Sequence, residues 1–143
     1  MGHLNVVSYL LDVGADINAK TKDEVRFHRS EDEMTAMLMA SRYGHIQIVK
    51  YLHQNGVDLN FKNSKNETAL FLASFNGHTE VVKYLHKNGA RINEKSLVDF
   101  YMPRMYNVYS TTPLAISARH GHLEVVEYLV QNGAEINSGN EDR

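Results

Sequence analysis

Apolar residues recur along the chain at the spacing that places them on one face of an α-helix. In one stretch, Val81, Val82 and Leu85 stand at positions i, i+1 and i+4, whereas Lys83 and Lys87 occupy the positions between and after them. This spacing gathers the apolar side chains on one side of a helix and the charged side chains on the other. The pattern predicts an amphipathic helix that packs against a neighbouring element.

Close copies of this stretch occur four times in the sequence. Each copy is 17 residues long, opens with Gly-His and ends with Ile-Asn or Leu-Asn, and the copies span 2–18, 44–60, 77–93 and 121–137. The second and third copies start 33 residues apart, and the two outer intervals are longer by 9 and 11 residues. A fixed period of this size is typical of a solenoid, in which each unit buries its apolar face by stacking on its neighbours.

A shorter helix is predicted immediately before each of the last three Gly-His pairs. The segments are 35–43, 68–76 and 112–120. Each begins with Thr, whose hydroxyl can accept a hydrogen bond from an amide of the first helical turn. The glycine of the Gly-His pair supplies the positive φ that ends this helix, and a glycine at the end of the second helix does the same. Each unit is therefore predicted to be a pair of helices followed by an extended connection.

These motifs resemble the ankyrin repeat, whose pattern joins a Thr-Pro-Leu-His helix, a Gly-His turn, a Val-Val-x-x-Leu-Leu helix and a Gly-Ala-Asp-x-Asn segment. In this chain the second copy carries the match with Gly44-His45, Ile48-Val49, Tyr51-Leu52 and 56–60. The resemblance implies an all-α solenoid of stacked helix-turn-helix units with extended β-turn or hairpin fingers. We expect one domain over 1–143, made of a half repeat 1–18, a finger 19–34, repeats 35–60 and 61–93, a finger 94–111 and a repeat 112–143.

The chain departs from the family pattern where the histidine of Thr-Pro-Leu-His would stand. Leu38, Phe71 and Ala115 take its place. We therefore expect apolar packing between neighbouring repeats instead of the hydrogen bonds that this histidine makes in the family.

The first copy has no helix before its Gly-His pair. Val6, Val7 and Leu10 would then lack one packing partner. We expect the chain to be a fragment of a longer array, and self-association through this N-terminal edge is an alternative.

Composition and charge exclude several classes of partner. The 143 residues are 43% hydrophobic and 22% charged, which is typical of a soluble globular domain. The net charge of −2 gives no excess of basic residues, so we expect no nucleic-acid partner. No apolar run approaches the roughly 20 residues that span a bilayer, so we expect no membrane partner. The lack of a signal-peptide core and of cysteine favours a cytoplasmic, intracellular location.

Eight histidines are the main reason to consider metal or catalytic chemistry. Four of them belong to the Gly-His pairs, namely His3, His45, His78 and His122. Equivalent positions in stacked helices lie about 8–10 Å apart, whereas the ligands of one zinc ion lie about 2.0–2.1 Å from it. His53 and His86 take positions that Leu11 and Val130 hold in other copies, which indicates half-buried packing residues. We predict no catalytic, cofactor or metal site and no enzymatic activity.

The resemblance implies that a partner binds at the ends of the first helices, just before Gly-His. Arginine and aromatic residues, which are enriched in interface hot spots, occur at these ends. The predicted binding residues there are Arg42, Tyr43, Phe75, Asn76, Arg119 and His120. In the alternative interpretation, Tyr43 and Phe75 only cover neighbouring repeats.

The insertion at 94–109 is the second predicted binding surface. It holds four of the 13 aromatic residues of the chain in a loop that we expect to be mostly exposed. The residues predicted to bind the partner are Phe100, Tyr101, Met102, Arg104 and Tyr106. In the alternative, the loop folds back onto the solenoid and buries its own apolar side chains.

The first insertion has a different character. Nine of the 14 residues from 20 to 33 are charged, which predicts a solvated finger, although its basic cluster at 26–29 could contact an acidic partner or a phosphate.

The leading hypothesis is a noncatalytic module that binds a protein or peptide through its concave face, the ends of its first (inner) helices and its fingers. The alternative is a substrate-recruiting part of a larger enzyme whose catalytic domain lies outside this chain.

Overall fold

A computed structural model describes residues 2–21, 33–102 and 105–137, which form a stack of helix pairs with two antiparallel strand pairs. The helices are α1 (Leu4–Asp12), α2 (Ala36–Arg42), α3 (Ile46–Gln54), α4 (Ala69–Phe75), α5 (Thr79–Lys87), α6 (Pro113–Arg119) and α7 (Leu123–Gln131). The strands are β1 (Lys20–Thr21), β2 (Met34–Thr35), β3 (Ser96–Met102) and β4 (Met105–Thr111). The predicted solenoid of helix-turn-helix units with hairpin fingers is confirmed.

The first helices of the units, α2, α4 and α6, begin at the predicted threonine caps. The Oγ1 atoms of Thr35, Thr68 and Thr112 accept hydrogen bonds from amides three residues later, at 3.4, 3.1 and 3.2 Å. Pro113 follows the last of these caps, at a position where no amide hydrogen is needed. Helices of seven residues are too short to persist alone in water, so the caps and the packing of the stack together fix them.

The core lies between the first and second helices and is continuous from repeat to repeat. Every residue of α4 except Phe75 is buried, and α4 contacts α2, α5 and α6. Val81, Val82 and Leu85 of α5 are buried, as the periodicity of the sequence predicts. The central repeat therefore carries most of the contacts that hold the stack together.

The replacement of the family histidine has two outcomes. Leu38 and Phe71 are buried, with exposed fractions of 1% and 0%, so the predicted apolar packing is confirmed at these positions. Ala115 is exposed, which makes the prediction wrong for the last repeat. The reason is that no described element covers this side of α6.

Helix α1 buries none of its residues completely. Val6 and Leu10 are 50% and 48% exposed, as expected for side chains that lack a packing partner. Val7 is partly buried against the core. The apolar side chains of α1 therefore divide between the core and solvent.

Ser74 places a buried hydroxyl in α4 without a hydrogen-bond partner among the described residues. In α6, by contrast, Ser117 Oγ donates to the Leu114 carbonyl oxygen at 2.9 Å. The substitution Ser74→Ala is expected to raise the free energy of unfolding by about 1 kcal/mol, because no unpaired hydroxyl then remains buried. Ser117→Ala is expected to lower the free energy of unfolding by about 0.5–1.5 kcal/mol, because it removes the hydrogen bond to Leu114. Urea denaturation measures both, and an equal loss in the two variants would contradict the explanation.

Candidate functional site

Two histidines of the Gly-His pairs tie their repeat to the one before it. His78 Nε2 lies 3.0 Å from the Arg42 carbonyl oxygen, and His122 Nε2 lies 2.9 Å from the Phe75 carbonyl oxygen. Because a carbonyl oxygen can only accept, each Nε2 carries the proton and donates it. These two histidines therefore fix the backbone at the end of a first helix, next to the residues predicted to bind a partner.

His53 and His86 make a second series of contacts between repeats, on the second helices. Both are half-buried, and their Nδ1 atoms lie 2.8 and 2.9 Å from the hydroxyls of Tyr84 and Tyr128 in the following repeat. Burial raises the pKa of Tyr128, so its phenol keeps the proton that it can donate to His86. The predicted packing role is confirmed, and the tyrosine partners are an addition that the sequence spacing did not show.

Residues at the ends of the first helices form a row that we call the first-helix edge. It consists of the six predicted residues Arg42, Tyr43, Phe75, Asn76, Arg119 and His120. All except Phe75 are exposed, and Tyr43 is 56% exposed although its ring stacks on His45 at 6.3 Å between centroids. The structure therefore brings these residues together along α2, α4 and α6.

Phe75 differs from the other residues of the first-helix edge. It is half-buried, with its ring centroid 4.5 Å from that of His120 and 6.4 Å from that of Phe71. The His120 ring is itself held by its Nδ1, which lies 2.9 Å from the Ile116 carbonyl oxygen. Phe75 thus covers the neighbouring repeat, as the alternative interpretation proposed, whereas Tyr43 is mostly exposed.

The insertion at 94–109 forms most of an antiparallel hairpin and not an irregular loop. Strands β3 and β4 pair from Ser96 opposite Thr111 to Met102 opposite Met105. Aromatic and β-branched residues favour a strand, which explains why this segment is extended. Phe100, Tyr101, Met102 and Tyr106 lie on the two strands, and Tyr101 stands opposite Tyr106 in the register. The remaining predicted residue, Arg104, lies outside the described residues.

The base of the hairpin is anchored to the turn between the second and third repeats. The Leu97 amide donates to the Lys65 carbonyl oxygen at 2.8 Å, and Ser96 Oγ donates to the Asn66 carbonyl oxygen at 2.9 Å. Ser96 and Thr111 are buried, and Val98 is partly buried against the core. At its base, therefore, the insertion packs against the solenoid as the fold-back alternative proposed.

Opposite charges also meet at the base of the hairpin. Glu94 forms ion pairs with Lys62 and Arg91, and its Oε1 lies 3.1 Å from Arg91 Nη1. The hydrogen bond from Lys62 and the one from Arg91 hold the pKa of Glu94 below its ordinary value. The carboxylate is therefore charged at neutral pH and links the segment before β3 to the preceding turn.

The hairpin and the first-helix edge meet at Tyr109 and Arg119. The Arg119 guanidinium donates a hydrogen bond to the Tyr109 hydroxyl, and its Cζ lies 5.5 Å from the centroid of the tyrosine ring. Cation–π contacts of this kind stabilise by about 0.5–1 kcal/mol at exposed sites. The two surfaces predicted separately are thus continuous. Tyr109 was not among the predicted binding residues, although it belongs to the aromatic-rich insertion.

The first insertion is described only at its base. Lys20 and Thr21 pair with Thr35 and Met34 across β1 and β2, and Lys20 Nζ lies 2.7 Å from Glu33 Oε2. The predicted basic cluster at 26–29 lies outside the described residues.

Two family models match this sequence. A model of ankyrin repeats in three copies matches residues 1–96, and a model of the single ankyrin repeat matches residues 110–141. The chain belongs to the ankyrin repeat family. This ankyrin chain matches no curated protein. Ankyrin repeats are generally protein–protein interaction modules and are typically noncatalytic.

In the part of the ankyrin chain that the structure describes, the longest helices have nine residues. No described helix is long and apolar enough to cross a membrane.

Proposed function

We propose that this ankyrin chain is a noncatalytic module that binds another protein or a peptide through the first-helix edge together with the β3–β4 hairpin. The contact between Arg119 and Tyr109 is the observation that carries the proposal. It joins the last residue of α6 to β4, so a partner can contact the helix ends and the hairpin at the same time. The helix ends of three repeats and the hairpin would then act as one surface.

The first-helix edge combines a fixed backbone with exposed side chains. The Arg42 carbonyl oxygen accepts the hydrogen bond from His78, whereas the Arg42 and Tyr43 side chains remain exposed. A surface whose backbone is already ordered loses less conformational entropy when it binds. Arginine and tyrosine also contribute strongly to protein interfaces. These properties support Arg42 and Tyr43 as central binding residues.

Shortening the hairpin is expected to weaken partner binding at least tenfold while leaving the repeats folded. Val98 and Tyr109 stand opposite each other in the register, so residues 99–108 can be replaced by a two-residue Asn-Gly turn. This change keeps the buried base and the contact between Tyr109 and Arg119. The measurement is the affinity for a protein captured from the native cell with the intact chain, together with thermal unfolding of both forms.

A substitution pair gives the matched control for the helix ends. Tyr43→Ala is expected to weaken binding about five- to thirtyfold, which corresponds to a loss of about 1–2 kcal/mol. Tyr9→Ala removes a tyrosine of similar exposure, 66%, from α1, outside the proposed surface, and is expected to change affinity less than twofold. Full affinity after both the hairpin replacement and Tyr43→Ala would contradict the proposal.

The exposed apolar side chains of α1 support a second proposal, in which the chain associates with itself through this helix. Light scattering is then expected to show a mean mass that rises with protein concentration. The double substitution Val6→Lys and Leu10→Lys would abolish this rise, because it places charge among the exposed apolar side chains. Ile136→Lys, at another exposed apolar residue, is the control. A constant monomer mass at all concentrations would refute self-association.

A further inference from the structure

A groove of about 440 Å³ lies between the second helices α3 and α5. All residues that line it belong to these two helices, so it is separate from the first-helix edge and from the hairpin. Its lining includes Ile46, Lys50, Glu80, Lys83, Tyr84 and Lys87. The family's usual contacts, made by first helices and fingers, leave this groove without an assigned role.

Positive charge is concentrated in this groove although the whole chain carries a net charge of −2. The lining holds three lysines against a single glutamate. None of the three lysines forms an ion pair with another described residue. Lys50 Nζ instead lies 5.8 Å from the centroid of the Tyr84 ring, and Lys83 Nζ lies 5.8 Å from that of Tyr128. No described carboxylate therefore pairs with the three ammonium groups, although that of Lys83 lies against Tyr128 of α7.

The neighbouring repeat shows that the fold does not require these lysines. At the positions of Lys83 and Lys87, helix α7 carries Glu127 and Gln131. Between α5 and α7 the side chains also bond to each other, since Thr79 Oγ1 donates to Glu124 Oε2 at 3.1 Å. The concentration of lysines is thus specific to the groove between α3 and α5.

The groove also has an apolar part of fixed geometry. Tyr84 is half-buried, and its hydroxyl is held 2.8 Å from His53 Nδ1, while Ile46 is partly buried against the core. A ligand that complements the groove would therefore combine carboxylates for the lysines with an apolar group for Tyr84 and Ile46.

We propose that the groove between α3 and α5 binds an acidic segment of a protein, with aspartate or glutamate side chains on Lys50, Lys83 and Lys87 and an apolar side chain on Tyr84. Lysine ammonium groups act as point charges and match single carboxylates. The groove contains no arginine, whose planar fork suits phosphate. Nucleic acids and anionic membranes favour surfaces with many basic residues, whereas this surface offers three. The positive charge of the lysines and the apolar surface of Tyr84 and Ile46 therefore favour an acidic protein segment as the ligand.

The test uses a synthetic peptide of about twelve residues, rich in aspartate and glutamate, with one central leucine. Binding to the full chain is measured by calorimetry and by chemical shift changes of the backbone amides. The changes are expected to cluster on α3 and α5, and binding is expected to weaken with added salt. Lys83→Glu is expected to reduce affinity at least tenfold. Lys95→Glu, which changes the net charge equally at an exposed lysine before β3, is expected to reduce it less than twofold.

Several outcomes would overturn the proposal. One is equal weakening by Lys83→Glu and Lys95→Glu, which would indicate unspecific attraction. Another is that the chemical shift changes fall on the first-helix edge or the hairpin, and that Lys83→Glu does not change the affinity for the peptide. Tighter binding of a phosphoserine peptide, a single-stranded RNA or phosphatidylserine vesicles would assign the groove to phosphate groups. Thermal unfolding of the Lys83→Glu variant checks that it is folded. The groove is separate from the proposed partner surface, so shortening the hairpin is expected to leave the affinity for the peptide unchanged.

Discussion

Replacing Phe71 by alanine is expected to lower the free energy of unfolding by about 3–5 kcal/mol, the range for large aromatic residues in protein cores. The Phe71 side chain is completely buried in α4, which contacts both neighbouring first helices. Truncation removes apolar area from the core and leaves a cavity that a stack held from both sides cannot close easily. Because small domains are stable by about 5–15 kcal/mol, this one change removes a large part of the total.

Urea denaturation followed by circular dichroism measures the effect of Phe71→Ala. Leu123→Ala is the control, because Leu123 is 66% exposed and its truncation is expected to cost less than about 0.5 kcal/mol. A loss below about 1.5 kcal/mol for Phe71→Ala would show that α4 is not the centre of the core.

The second large effect is expected at Gly77, where alanine should lower the free energy of unfolding by about 2–4 kcal/mol. Gly77 has a φ of +73°, and a left-handed conformation costs other residues about 1–2 kcal/mol. A Cβ atom at this position would lie 2.5 Å from His122 Nδ1, so the imidazole must move. The hydrogen bond from His122 Nε2 to the Phe75 carbonyl oxygen is then weakened, at a further cost of about 1 kcal/mol.

Alanine substitutions at two other glycines distinguish the effect of backbone strain from the effect of the contact with His122. Gly121 has nearly the same φ, +74°, and Gly89 has a φ of +99°, but a Cβ at either position meets no atom within 4 Å. Gly121→Ala and Gly89→Ala are therefore expected to lower the free energy of unfolding by only about 1–2 kcal/mol. Equal losses in all three variants would mean that His122 does not constrain Gly77.

Much of the fold could be predicted because its determinants are local and repeated. Thr68 caps α4 through an amide only three residues away, and the turn at Gly77 depends on one backbone angle. The amino-acid sequence of the β3–β4 hairpin has no second copy in the chain. Its anchoring depends on the contact of Leu97 with Lys65, residues far apart in the sequence. Composition alone suggested a loop there, although the run of apolar and aromatic residues favours strands.

The sequence predicted where the residues of the candidate site lie in each repeat, but not which of their side chains are exposed. Phe75 and Arg42 occupy equivalent places two residues before the glycine of a Gly-His pair. Phe75 is half-buried because His120 of the next repeat lies against its ring, whereas the Arg42 side chain is exposed. Spacing within one repeat cannot show which side chain of the following repeat covers a given position. Lys83 and Lys87 were assigned only to the polar face of a helix. Lys50 stands one 33-residue period before Lys83, but this spacing does not show that a groove lies between α3 and α5.

The hydrogen bonds of the Gly-His histidines have a consequence for the cooperativity of the whole array. Each of these bonds joins one repeat only to its immediate neighbour, as His78 does with Arg42 and His122 with Phe75. In such a one-dimensional chain of couplings, a terminal unit can open while the central units stay folded. A partner that spans the helix ends from α2 to α6 would add a coupling between the second and fourth repeats. Binding would thus convert a stack that can unfold stepwise from its ends into one that unfolds in a single transition.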